Sequence, residues 1–117
     1  MGAETYSWIM STSPDDWPYQ NAPAFVITSR DLPVPSGLEI TLLQGDAGAI
    51  TKKVKQAAKG KDVWLVGGGK TAAYFAEAGD LPQLFITTLP IFLGTGVAVL
   101  PVGHNVSVIP KVQRILQ

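Results

Sequence analysis

The residues best placed to do chemistry are three consecutive glycines, Gly67-Gly68-Gly69, followed by Lys70 and Thr71. They stand between an apolar run, Asp62-Val63-Trp64-Leu65-Val66, and a stretch of helical pattern. Glycine lets a backbone turn tightly and approach a ligand closely. A helix opening just after it offers unpaired N–H groups and a positive dipole end to phosphate. A second set, Thr28-Ser29-Arg30, ends another apolar run and adds two hydroxyls and a cation. A hydroxyl-rich strand end beside helix N-termini suits a dinucleotide. The competing reading of the glycines is a turn needed only for close helix–sheet packing.

Named motifs narrow the choice. Gly69-Lys70-Thr71 resembles the end of a phosphate-binding P-loop, but the first glycine of that motif would fall at Trp64. Gly67-x-Gly69-x-x-Ala72 fits the Rossmann fingerprint in form. The acidic residue that would take the ribose is missing, with Thr87, Thr88 and Leu89 at its place. His104 is the single histidine, in a Gly-His-Asn turn, and reads as a surface residue rather than a base or metal ligand. Asp15-Asp16 and Glu4 form no acid–base pair, and Gly-x-Ser-x-Gly is absent. No catalytic residue and no metal site is assigned. Trp8, Trp17 and Trp64 read as core and loop anchors rather than as a nucleic-acid stacking platform, because basic residues do not interleave with them.

The elements that must hold these residues follow from pattern. Residues 4–10 read as a helix and 11–23 as a loop, while 24–28 and 38–42 read as strands. The clearest helix covers 46–59. Asp46 is its N-cap, Ala47, Ile50, Val54, Ala57 and Ala58 form its apolar stripe, and Gly60 is its stop. Lys52, Lys53, Lys55, Lys59 and Lys61 fall mostly off that stripe and read as a solvated face rather than a polyanion site. Strands are expected at 62–66, 83–88, 97–100 and 106–109, with a helix over about 70–78. Alternating strands and helices predict a parallel α/β sheet in one domain, 1–117.

Composition agrees. The chain has 117 residues, 46% hydrophobic and 15% charged, with nine basic and nine acidic side chains. Zero net charge provides no field for nucleic acid or an anionic membrane. Zero cysteine excludes disulfides, thiolate catalysis and Cys-ligated metal. No apolar run is long enough for a membrane helix and no signal peptide is evident, so a soluble, cytoplasmic protein is expected. Low charge with high hydrophobicity suggests a surface that a partner chain covers. A homo-oligomer is therefore expected, with Val97–Leu100 and Val106–Ile109 at the contact.

Four segments in order carry a resemblance: Met1-Gly2-Ala3-Glu4-Thr5-Tyr6, Pro23 to Arg30, Gly60 to Gly69, and Leu89-Pro90-Ile91-Phe92-Leu93-Gly94-Thr95-Gly96. Together they resemble the dihydrofolate-reductase-like superfamily, and most closely the reductase domain of the bifunctional riboflavin-biosynthesis deaminase-reductase. The resemblance implies a three-layer sandwich around a mostly parallel sheet, here lacking the family's first strand and helix. It implies NADPH as cofactor and a pterin- or pyrimidine-like substrate. Gly2 and Thr5 would face the phosphates, and Thr28, Ser29 and Arg30 the adenosine end. Gly67, Gly68, Gly69, Lys70 and Thr71 would wrap the pyrophosphate and nicotinamide side, with Leu93, Gly94 and Gly96 toward substrate. Two departures stand out. Ala3-Glu4 occupy the place of a common basic residue, and Pro82-Gln83 that of an acidic pair. Two functions follow as expectations: an NADPH-dependent reductase, or a non-catalytic nucleotide-binding remnant that associates as an oligomer.

Overall fold

A computed structural model of the chain describes residues 1–115. Its elements run α1 (Ala3–Thr12), β1 (Ala24–Ile27), β2 (Ile40–Leu43), α2 (Ala47–Ala58) and α3 (Gly69–Glu77). Strands β1 and β2 pair in parallel, with Ala24 opposite Ile40 and Ile27 opposite Leu43. On the other edge of β1, Gly2 bridges Ile27 in parallel, and the Ile27 N–H donates to the Met1 carbonyl at 2.9 Å. The architecture is mixed α/β around a short parallel sheet.

Side chains alternate across a strand, so β1 feeds two cores. Ala24 and Val26 join Tyr6, Ile9 and Trp17 on one face, with Ile40 and Leu42 from β2. Phe25 and Ile27 turn to the other face, where Leu43, Ala47, Ile50 and Phe75 cluster. Helix α1 thus covers one side of the sheet, and α2 and α3 the other. In the first core Tyr6 meets Trp17 edge to face at 5.9 Å, and Trp17 meets Tyr19 at 5.3 Å. The Tyr6 hydroxyl donates to the Pro33 carbonyl at 2.6 Å, tying the loop 28–39 to α1.

Helix α2 forms for the reasons its sequence supplies. The Asp46 carboxylate accepts from the Ala49 N–H at 3.0 Å, which satisfies one of the orphan donors of the first turn. Its stop comes one residue earlier than Gly60. Lys59 itself takes the left-handed conformation at φ 51°, and Gly60 continues at φ 84°. Side-chain carbon disfavours that region, so Lys59 is the less comfortable of the two.

The second half departs from expectation. Among the described residues, 62–66, 83–88, 97–100 and 106–109 form no strand. Over residues 81–115 the described main-chain hydrogen bonds are the local pairs Ile91 to Leu89 and Val102 to Leu100. These segments have strand composition, but a strand needs main-chain partners along its edge, and no described main-chain hydrogen bond pairs them with a neighbouring strand. The physical reason is that β-propensity measures fit to a pleated, half-buried surface and does not create one. Trp8 departs too: it sits on the open face of α1, 66% exposed, whereas Trp17 is buried as expected. Trp64 is also exposed, and its ring meets Tyr19 edge to face at 6.1 Å.

Candidate functional site

Parallel strands end together, and the turns leaving their carboxyl ends open a crevice. Here that crevice is a cleft of about 370 Å³. The end of β1 contributes Ile27, Thr28 and Ser29, and the end of β2 contributes Leu43, Gln44 and Gly45. Helix α3 closes the third side with Lys70, Thr71 and Tyr74. Of the residues singled out in the sequence, Thr28, Ser29, Lys70 and Thr71 therefore come together in one place. They bring three hydroxyl-bearing side chains and an ammonium group to the cleft; the Thr28 hydroxyl accepts from the Arg30 N–H at 2.9 Å, and Lys70 and Thr71 stand in the first turn of α3, where the helix dipole favours an anion.

Gln44, Gly45 and Tyr74 were not legible as site residues. The Tyr74 hydroxyl donates to the Gly45 carbonyl at 2.7 Å and locks α3 against the turn after β2. Gln44-Gly45 directly follows an apolar run, and that position at a strand's carboxyl end was the available signal.

The glycine loop lies against the start of α1. A β-carbon on Gly67 would sit 3.4 Å from the Thr5 hydroxyl, and one on Gly68 would sit 3.7 Å from it. Gly2 is buried and faces Thr71 so closely that a β-carbon there would overlap its hydroxyl. The two helix N-termini thus adjoin, with Gly67 at φ 44° and a cis peptide between Gly67 and Gly68. Gly69 meets backbone rather than a side chain, since a β-carbon would fall 2.7 Å from both the Ala98 and the Val99 carbonyl oxygens.

Arg30 does not line this cleft. Its guanidinium pairs with the Glu4 carboxylate on the first turn of α1, and both side chains are exposed. Glu4, standing where the resemblance expects a basic residue, occupies the neighbouring cation instead. Exposed pairs contribute little, so Arg30→Ala and Glu4→Gln are each expected to change folding stability by less than about 1 kcal/mol in a urea titration. Leu93, Gly94 and Gly96 also lie outside the cleft. Leu93 is exposed, Gly94 turns at φ 74°, and neither glycine has an atom near the place of a β-carbon. Among the described residues there is no cluster of three or more His, Cys, Asp or Glu that could hold a metal ion. Among the described residues no helix is long and apolar enough to cross a membrane.

Fold and cleft together define an α/β protein with a mostly apolar crevice, bordered by one lysine and three hydroxyl-bearing residues, at the carboxyl ends of its parallel strands. No family model matches the chain. It is 27% identical over 110 residues to the uncharacterized protein YwjB of Bacillus subtilis (strain 168), an alignment covering 92% of this chain and 58% of that protein. The chain therefore spans less than two thirds of the length of that relative.

Proposed function

We propose that the chain binds a phosphorylated dinucleotide, NADPH, in the cleft at the ends of β1 and β2, as a reductase of the dihydrofolate-reductase-like superfamily. One observation carries the reading: Thr28, Ser29, Lys70 and Thr71, from two separate parts of the sequence, line one cleft at a helix N-terminus. The donor set fits the group. An ammonium and the Thr71 hydroxyl suit phosphate oxygens, Thr28 and Ser29 suit sugar hydroxyls, and Ile27 and Leu43 give a ring an apolar floor. The arrangement of α1 on one side of the sheet and α2 with α3 on the other supports a layered sandwich of the family's kind.

In this reading Lys70 holds a phosphate, and Thr71 with the N–H groups opening α3 completes its shell. Gly67, Gly68 and Gly69 let the backbone come close, beside Gly2 and Thr5. Thr28 and Ser29 take the sugar hydroxyls, and Arg30 stays shared with Glu4 at the rim. When bound, the cofactor supplies hydride for reduction of a pterin- or pyrimidine-like acceptor, and the chain's task is to bind and orient it.

A second reading is binding without turnover. It is favoured by the lining itself, whose titratable groups are the Lys70 amine and the Tyr74 phenol, with no carboxylate or imidazole. Calorimetric titration with NADPH tests what both readings share. Lys70→Ala is expected to weaken binding about tenfold, the loss of one charge-assisted contact. Equal affinity for wild type and variant removes Lys70 from the site, and no heat with either removes the dinucleotide.

A further inference from the structure

The lining of the cleft holds one cation, Lys70. A second stands one residue beyond it. Ser29 borders the cleft, and Arg30 follows at the end of β1. The Arg30 N–H donates to the Thr28 hydroxyl at 2.9 Å, which turns the chain there and leaves the Arg30 side chain at the rim. A guanidinium in that place could take a phosphate carried on a nucleotide's sugar, since its planar fork matches phosphate as well as carboxylate. It is held by a carboxylate instead, that of Glu4.

Glu4 reaches Arg30 because of where α1 begins. Gly2 bridges Ile27 at the edge of β1, so the first turn of α1 opens beside the strand's carboxyl end. Thr5, the next residue, faces the glycine loop, 3.4 Å from where a β-carbon on Gly67 would stand. One turn of helix therefore touches both flanks of the site. The chain has nine acidic and nine basic side chains, yet among the described residues Glu4 and Arg30 form the one ion pair. Stability does not account for it. The two side chains are 89% and 55% exposed, and pairs in that setting contribute little. What the pair does change is local charge: Arg30 alone would make the rim positive, and with Glu4 it is neutral.

We propose, building on the dinucleotide reading of this cleft, that Glu4 is a specificity-determining residue that holds down the preference for a 2′-phosphate. A 2′-phosphate arriving at the rim must take Arg30 from Glu4 and then lie near the carboxylate it displaced, a like-charge contact. A free 2′-hydroxyl meets neither cost. A neutral diol needs no cation, and the Thr28 and Ser29 hydroxyls can pair with it. Lys70 serves the pyrophosphate that both forms of the dinucleotide carry. Glu4 thus offsets the advantage that Arg30 would give NADPH, and the site takes NADPH and NADH with similar affinity.

Calorimetric titration of the full chain with NADPH and with NADH, side by side, tests this. Wild type is expected to bind the two within about threefold. Glu4→Gln, which keeps the side chain's size and removes its charge, is expected to tighten NADPH about fivefold and leave NADH unchanged. That gain is expected to vanish in the double variant Glu4→Gln with Arg30→Ala, and to shrink in about 1 M salt, where exposed charges are screened. A merely structural role for Glu4 would produce neither result. The proposal is overturned if Glu4→Gln shifts both nucleotides equally or neither, or if its gain survives in the double variant or at high salt. A wild type that already prefers NADPH by more than about tenfold overturns it as well. In each of these cases Lys70→Ala still weakens both nucleotides, and the cleft keeps its dinucleotide. If neither nucleotide gives heat, or Lys70→Ala leaves both affinities unchanged, the dinucleotide reading fails and this role of Glu4 fails with it.

Discussion

Tyr6→Ala is expected to lower folding stability by about 3–5 kcal/mol, the range for emptying an aromatic site in a packed core. Tyr6 is 2% exposed, stacks edge to face on Trp17, and reaches across to the Pro33 carbonyl through its hydroxyl. Alanine removes all three contacts and leaves Val26 and Ile9 facing a void. Tyr6→Phe separates the parts. It keeps the ring and loses only the hydrogen bond, so a urea titration should show about 0.5–1.5 kcal/mol for it. Phenylalanine also removes a pH dependence. Burial holds the Tyr6 phenol above its ordinary value of about 10, so the unfolded chain releases that proton first. The group's contribution is intact below pH 10 and falls as pH rises further. Wild type should lose stability there more steeply than Tyr6→Phe. Equal slopes would show that this phenol is not the group responsible.

Gly69→Val is the second large effect expected, about 2–3 kcal/mol of destabilisation. The obstacle is backbone rather than a movable side-chain tip: two carbonyl oxygens, of Ala98 and Val99, lie 2.7 Å from where the new carbon must go, and Pro101 Cδ lies at 3.2 Å. Relief requires the 98–101 segment to lift off α3. Gly96→Val is the matched control, because nothing lies within 4 Å of its β-carbon position and its φ is not in the left-handed region. Thermal denaturation should separate the two variants clearly. If both melt with wild type, the segment does not pack on Gly69 in solution.

What could be read in the sequence was what is local. The Asp46 cap and the Ala47–Ile50–Val54 stripe lie within one helix, and α2 follows them within a residue at either end. The apolar runs at Ala24 and Ile40 become β1 and β2 because two parallel neighbours fell side by side with helices to cover both faces. The runs at 62–66 and 83–88 are as rich in strand formers, yet they stay unpaired, since pairing depends on residues far away in the chain. The site divides the same way. Thr28, Ser29, Lys70 and Thr71 were identifiable as strand-end and helix-start residues. Arg30 belongs to the same strand end, but a carboxylate from α1 claims it, and that encounter has no local signature.

The stretch beyond α3 also decides how a protease meets the molecule. Trypsin cuts after lysine and arginine, and none stands between Lys70 and Lys111. Residues 71–110 are therefore invisible to it, and survival in trypsin measures the α2 lysine face, Lys70, the residues around Arg30 and the exposed Lys111 and Arg114 instead. Chymotrypsin, which cuts after large apolar side chains, finds Phe85 and Phe92 fully displayed on backbone free to enter an active site. A chain that resists the first enzyme and is nicked by the second at these two residues has an uncovered 81–110 surface. Resistance to both means that something has closed over it.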